Sequence, residues 1–97
     1  MNIPSNQVKS KKEVGTLDGS KVFQIGTVGG LFLCVVAKST PEVIGVGPHP
    51  GIARFLARKR CPDISFTALE KSEILDPKDF ADLVPTYEDL TNKFRNA

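Results

Sequence analysis

Two tight-turn signals, Asp18-Gly19 and Gly29-Gly30, cut the stretch from Glu13 to Lys38 into three extended runs. A two-residue turn sets strand register, and register decides which side chains share a face. If both turns close on two residues, Val14 faces Phe23, Phe23 faces Val36, Ile25 faces Cys34 and Val28 faces Leu31. The third run, Leu31-Phe32-Leu33-Cys34-Val35-Val36, is apolar at every position. Both of its faces therefore call for cover, because a strand with one wet face alternates apolar and polar residues.

After this meander, Ser39-Thr40-Pro41 reads as a turn and Val43 to Val46 as a short β-branched strand weakened by glycine. Pro48-His49-Pro50-Gly51 must be a loop. It leads into a helix over Ile52 to Arg60, whose buried side carries Ile52, Phe55 and Leu56 at helical spacing. Pro62 stops that helix. Asp63 to Leu69 alternates as a fifth strand, with Ile64, Phe66 and Ala68 pointing together.

Asp76-Pro77-Lys78-Asp79 is a helix start: Asp76 caps, Pro77 fits the first turn and Asp79 opposes the positive helix end. Phe80, Leu83 and Val84 form its apolar side. Pro85 is expected to break it, and a further helix is expected from Thr86, with Tyr87, Leu90 and Phe94 inward.

The order is β-β-β-β-α-β-α-α, an α+β class with a mostly antiparallel five-stranded sheet and helices packed mainly on one face. The strand-helix-strand portion from Val43 to Leu69 is a candidate crossover between parallel strands. The chain's 97 residues suit one domain, 13–97, preceded by a flexible basic arm, 1–12. Short helices on one face leave the other uncovered, so Val22, Val28, Leu31, Leu33 and Val35 are the expected interface for a second copy in a homodimer, or for another protein partner, the alternative being a terminal helix that wraps round to that face.

Charge and composition narrow the function classes. At 40% hydrophobic and 25% charged residues the chain is globular. Nine basic and three acidic residues precede Asp63, while four basic and eight acidic residues follow from it, so charge is split along the chain. The longest apolar run, Leu31 to Ala37, is far short of the ~20 residues that cross a bilayer, and residues 1–12 hold no apolar core of secretion-signal length. A cytoplasmic protein with no membrane association is expected. Two cysteines, outside any C-x-x-C pair, imply reduced thiols.

No residue pattern announces a reaction, and no cofactor or metal is implied. Gly45-x-Gly47-x-x-x-Gly51 sits between a strand and a helix, where glycine-rich loops cradle phosphate, so Gly47, His49, Gly51 and Arg54 are a candidate anion or ligand loop. Pro48 and Pro50, however, delete two of the N–H groups such a cradle uses. Lys9, Lys11 and Lys12 with Arg54, Arg58, Lys59 and Arg60 are a candidate nucleic-acid or polyanion surface. Arg58 and Arg60 stand near Cys61 in sequence, where they would lower its pKa, but a ten-residue helix holds Cys61 about 15 Å from His49. Glu70, Glu73, Asp76, Asp79 and Asp82 lack calcium-loop spacing and are better explained by a capped helix start. The leading expectation is a small non-enzymatic interaction domain acting through protein contacts, with polyanion binding and small-molecule binding as alternatives.

Overall fold

The computed structural model describes residues 5–67 and 75–96. A 3-10 turn, Ser5–Gln7, enters β1 (Val8–Leu17), followed by β2 (Ser20–Thr27), β3 (Phe32–Val36) and β4 (Glu42–Gly47). Then come α1 (Pro50–Arg60), β5 (Ser65–Phe66), α2 (Pro77–Phe80), a 3-10 turn (Ala81–Leu83) and α3 (Val84–Asn96). The five strands form one sheet in the order β4-β3-β2-β1-β5, with every pairing antiparallel. This is the α+β class and the element order that the sequence predicts.

Two boundaries differ from expectation. The basic stretch read as an arm is strand from Val8 onward, paired with β2. Pro85 does not break a helix but lies in the first turn of α3, where its missing N–H has no intrahelical role. At α2, Asp76 caps as expected, its carboxylate accepting from the Lys78 N–H at 3.0 Å. The fifth strand is shorter than predicted, and its expected continuation through Ala68 and Leu69 lies outside the described residues.

Register is set by the two turns, and they close differently. Leu17 pairs with Ser20, so Asp18-Gly19 is a two-residue turn, with φ of 51° and 82° as a type I′ turn requires. The second is one residue wider. The Thr27 N–H donates to the Leu31 carbonyl at 2.8 Å, and the Thr27 hydroxyl oxygen accepts from the Leu31 N–H at 3.1 Å. Val28, Gly29 and Gly30 thus form a three-residue loop, with Gly30 taking the left-handed position at φ 86°.

That residue moves the pairing by one: Ile25 lies opposite Leu33 instead of Cys34, and Phe23 opposite Val35 instead of Val36. A slip of one exchanges the two faces of a strand. In β1, a bulge at Val14 puts Glu13 opposite Phe23 and Gly15 opposite Val22, so Val14 does not face Phe23.

The two faces therefore have a composition that the expected register does not give. On the first, Val14, Val22, Cys34, Val36, Ile44 and Ile64 pack with Ala53 and Ala57 of α1. Gly45 and Gly47 let this helix come close: a Cβ on Gly45 would stand 2.0 Å from the Ala53 carbonyl oxygen, and one on Gly47 2.7 Å from Ile52 Cγ2. On the second, Ile25, Leu33, Val35, Val43 and Val46 meet Tyr87, Leu90 and Phe94 of α3.

The helices are thus shared between the faces, and the face expected to await a partner is closed by the chain itself. Thr91 fastens this closure. Its buried hydroxyl accepts from the Val46 N–H on the edge strand at 3.1 Å and donates to the Tyr87 carbonyl at 2.7 Å. Strands β4 and β5 run the same way, as a crossover through α1 demands, but stand at opposite edges of the sheet and do not pair. A third cluster, Ile52, Leu56 and Phe80 with Phe55, seats α2 against α1.

Candidate functional site

The structure separates the residues expected to form an interface. Val22 is buried on the α1 side, while Leu33 and Val35 are 1% and 8% exposed beneath α3. Leu31 is half-buried at the margin of that cluster, and only Val28, on the β2–β3 loop, stands out at 59% exposed. These five side chains do not make one accessible patch.

The glycine loop is occupied by its own chain. His49 is the N-cap of α1, its Nδ1 accepting from the Gly51 N–H at 2.9 Å while its carbonyl accepts from Ile52 at 3.0 Å. The amides that a phosphate would use are satisfied locally, and Gly47 serves the approach of α1. Arg54 points inward: it is 5% exposed and donates from Nη1 to Gln24 Oε1 at 2.8 Å. Sequence placed Arg54 in the first turn, next to a solvent-facing loop, but its position also falls on the sheet-facing side of the helix.

Most of the other cations of the candidate polyanion surface have contacts within the chain. Arg58 lies over the Phe66 ring at 5.1 Å, Lys59 pairs with Glu88 at 2.8 Å, and Arg60 donates to Asn92 Oδ1. Lys11 sits over Phe23 at 4.7 Å, and Lys9 and Lys12 are exposed positions of β1. The α1 cations brace the helix against its neighbours and do not form a continuous bare stripe.

Neither thiol is poised for nucleophilic attack. Burial pushes the Cys34 thiol up to about 12, an effect only partly offset by Arg54. Cys61, expected to be lowered by adjacent arginines, is raised instead: burial leads, and the Glu42 carboxylate adds to it, outweighing Arg60, Arg95 and Lys38. Cys61 is the C-cap of α1 and His49 its N-cap, so the helix keeps them apart as expected. Among the described residues no three His, Cys, Asp or Glu side chains gather as a metal site, and Glu70 and Glu73 lie outside that set. No helix among them is long and apolar enough to cross a membrane.

What the fold does assemble is a cationic corner. From the basic last turns of α1 and α3, Arg60 and Arg95 act on the start of β4 beside the β3–β4 turn. Glu42, at the start of β4, accepts from Lys38 Nζ at 2.9 Å and pairs with Arg95 Nε at 3.1 Å. Its carboxyl is held below the usual range by the Lys38 hydrogen bond above all, opposed by burial, with the charges of Lys38, Arg95 and Arg60 adding smaller contributions. Two cations thus pair with one carboxylate, and the Arg60 charge acts on it only from farther off.

Beside it, Lys38 to Val43 with Phe94 and Arg95 line a crevice of about 390 Å³, in the size range of ligand pockets. A smaller cleft of about 180 Å³ opens between α1 and α3, lined by Ile44, Leu56, Lys59, Arg60, Glu88 and Thr91. Lys38, Glu42, Thr91, Asn92 and Arg95 were not singled out from sequence. The only signal was the pair of basic helix C-termini, and nothing local shows that they meet. No family model matches this chain, and comparison with curated proteins and with solved structures finds none that is similar to it.

Proposed function

We propose that the chain is a non-enzymatic interaction domain that binds an acidic segment of a protein partner at the corner formed by Lys38, Glu42 and Arg95. The observation that carries this reading is the arrangement at Glu42, where, among the described residues, Lys38 and Arg95 both pair with this one carboxylate, at 2.9 Å and 3.1 Å. The Lys38 and Arg95 side chains are each 49% exposed, and ion pairs at such exposure contribute only about 0–1 kcal/mol. A partner carboxylate can therefore share these cations at little cost, with Ser39, Thr40 and the Phe94 ring lining the crevice beside them. The states of both thiols and the capping role of His49 support a role without covalent chemistry.

Self-association through the second sheet face, the favoured contact from sequence, would require α3 to leave Leu33 and Val35. Polyanion binding would draw on Arg58 and Lys59 of α1 and Lys9, Lys11 and Lys12 of β1, without Arg54, which is buried against Gln24.

The test is binding of a fluorescent glutamate-rich peptide measured by anisotropy. Binding that weakens with salt and falls about tenfold in the Lys38→Ala/Arg95→Ala double variant supports the proposal. No binding at low salt, or equal affinity for the double variant, refutes it.

A further inference from the structure

The smaller cleft between α1 and α3 contains a donor that no described residue answers. Arg60 lines this cleft, and its Nη1 is buried with no hydrogen-bond partner, while Nη2 donates to the neutral Asn92 side chain. Buried donors are almost always satisfied, and a guanidinium nitrogen has a larger desolvation cost to offset than a neutral amide. The charge is also unmatched at close range. Among the described residues, none of the ion pairs Lys21–Glu13, Lys38–Glu42, Arg95–Glu42 and Lys59–Glu88 includes Arg60. Glu88, the one carboxylate of the cleft wall, is already held by Lys59 at 2.8 Å.

We infer that this cleft binds a small oxyanion, a free carboxylate or phosphate, with Arg60 as its principal ligand. The planar guanidinium matches such a group in shape and charge. Ile44 and Leu56 furnish an apolar wall that lowers the local dielectric, which strengthens the pairing. At about 180 Å³ the cleft admits an ion of phosphate or short dicarboxylate size and falls below the range of pockets that enclose larger metabolites. The inference stands on the cleft and its orphaned donor and is independent of the acidic-partner reading, which uses Lys38 and Arg95.

The experiment is a titration of the ¹⁵N-labelled full chain with inorganic phosphate and, separately, with succinate, at constant ionic strength, followed by amide and arginine side-chain shifts. Saturable changes at Arg60, Glu88 and Thr91 are expected. Arg60→Gln should weaken them about tenfold, Arg60→Lys should weaken them less, and Glu88→Gln, by removing a competing negative charge, should strengthen them. Thermal melts identify any variant that has lost its fold, and Glu88→Gln serves as a separate test because it predicts a gain. Absence of saturation with both anions overturns the inference. So do changes that are undiminished in a folded Arg60→Gln, or changes confined to Lys38–Val43 and Arg95. A glutamate-rich peptide that shifts the cleft residues when neither free anion does would also overturn it.

Discussion

Gly45→Ala tests whether the glycines before α1 serve packing or a ligand. The added Cβ would sit 2.0 Å from the Ala53 carbonyl oxygen and 2.9 Å from the Ala57 nitrogen, and real Cβ contacts essentially never fall below 3.0 Å. Both neighbours are helix backbone, so no side chain can swing aside. α1 would have to retreat by about 1 Å along its contact with β4, loosening Ala53 and Ala57 against Cys34, Val36 and Ile44.

Overpacking of this kind costs about 1–3 kcal/mol, and the upper end is expected where only backbone can yield. In a domain of this length each kcal/mol lowers Tm by about 4–8 °C, which puts the fall at about 12–24 °C. Gly29→Ala is the control: its nearest neighbour is Thr27 Oγ1 at 3.9 Å and its φ is ordinary, so stability should be unchanged or slightly higher. Differential scanning calorimetry of the two variants decides the matter. A Gly45→Ala melt within about 2 °C of the parent would refute the close-approach account.

Other perturbations address the second face, its fastening and the thiols. Leu33→Asp places a charge beneath α3 with no partner and should cost about 4 kcal/mol or more in urea unfolding, where a surface position would be nearly neutral. Thr91→Val keeps shape but strands the Val46 N–H, a loss of about 1–3 kcal/mol by the same measurement. Cys61, half-buried, should react with a thiol reagent in the native state, and Cys34 only on unfolding. Folded Cys34 keeps its proton up to about 12, whereas the unfolded thiol loses it near 8.5. Its stabilising contribution is therefore intact below about pH 8.5 and falls by about 1.4 kcal/mol per pH unit between there and about 12, a slope that Cys34→Ala should lessen.

Local chemistry was legible where a short stretch decides it. Asp18-Gly19 names its own turn type, Asp76-Pro77 its own helix start, and the periodicity of Ile52, Phe55 and Leu56 its own buried side. The doubly apolar β3 correctly signals cover on both faces. The identity of each face was not legible, because it depends on the Thr27 hydroxyl closing a three-residue loop and on a bulge at Val14. Either detail reverses a strand without altering its hydrophobic pattern. Nor does the apolar stripe of Tyr87, Leu90 and Phe94 say which surface it will meet; Thr91 decides that by reaching a strand 45 residues away. The cationic corner depends on the same event, since Arg95 reaches Glu42 only once α3 lies along β4.

Contacts between the aromatic rings of α3 and the methyls of the central strand test this arrangement most directly. In a methyl-labelled, dilute sample of the full chain, nuclear Overhauser effects from Tyr87 and Phe94 to Val35 and Val43, within one molecule, are the expected result, together with cross-strand contacts between Ile25 and Leu33. Val35 and Leu33 methyls that show no ring contacts, or cross-strand contacts that pair Ile25 with Cys34, would contradict it.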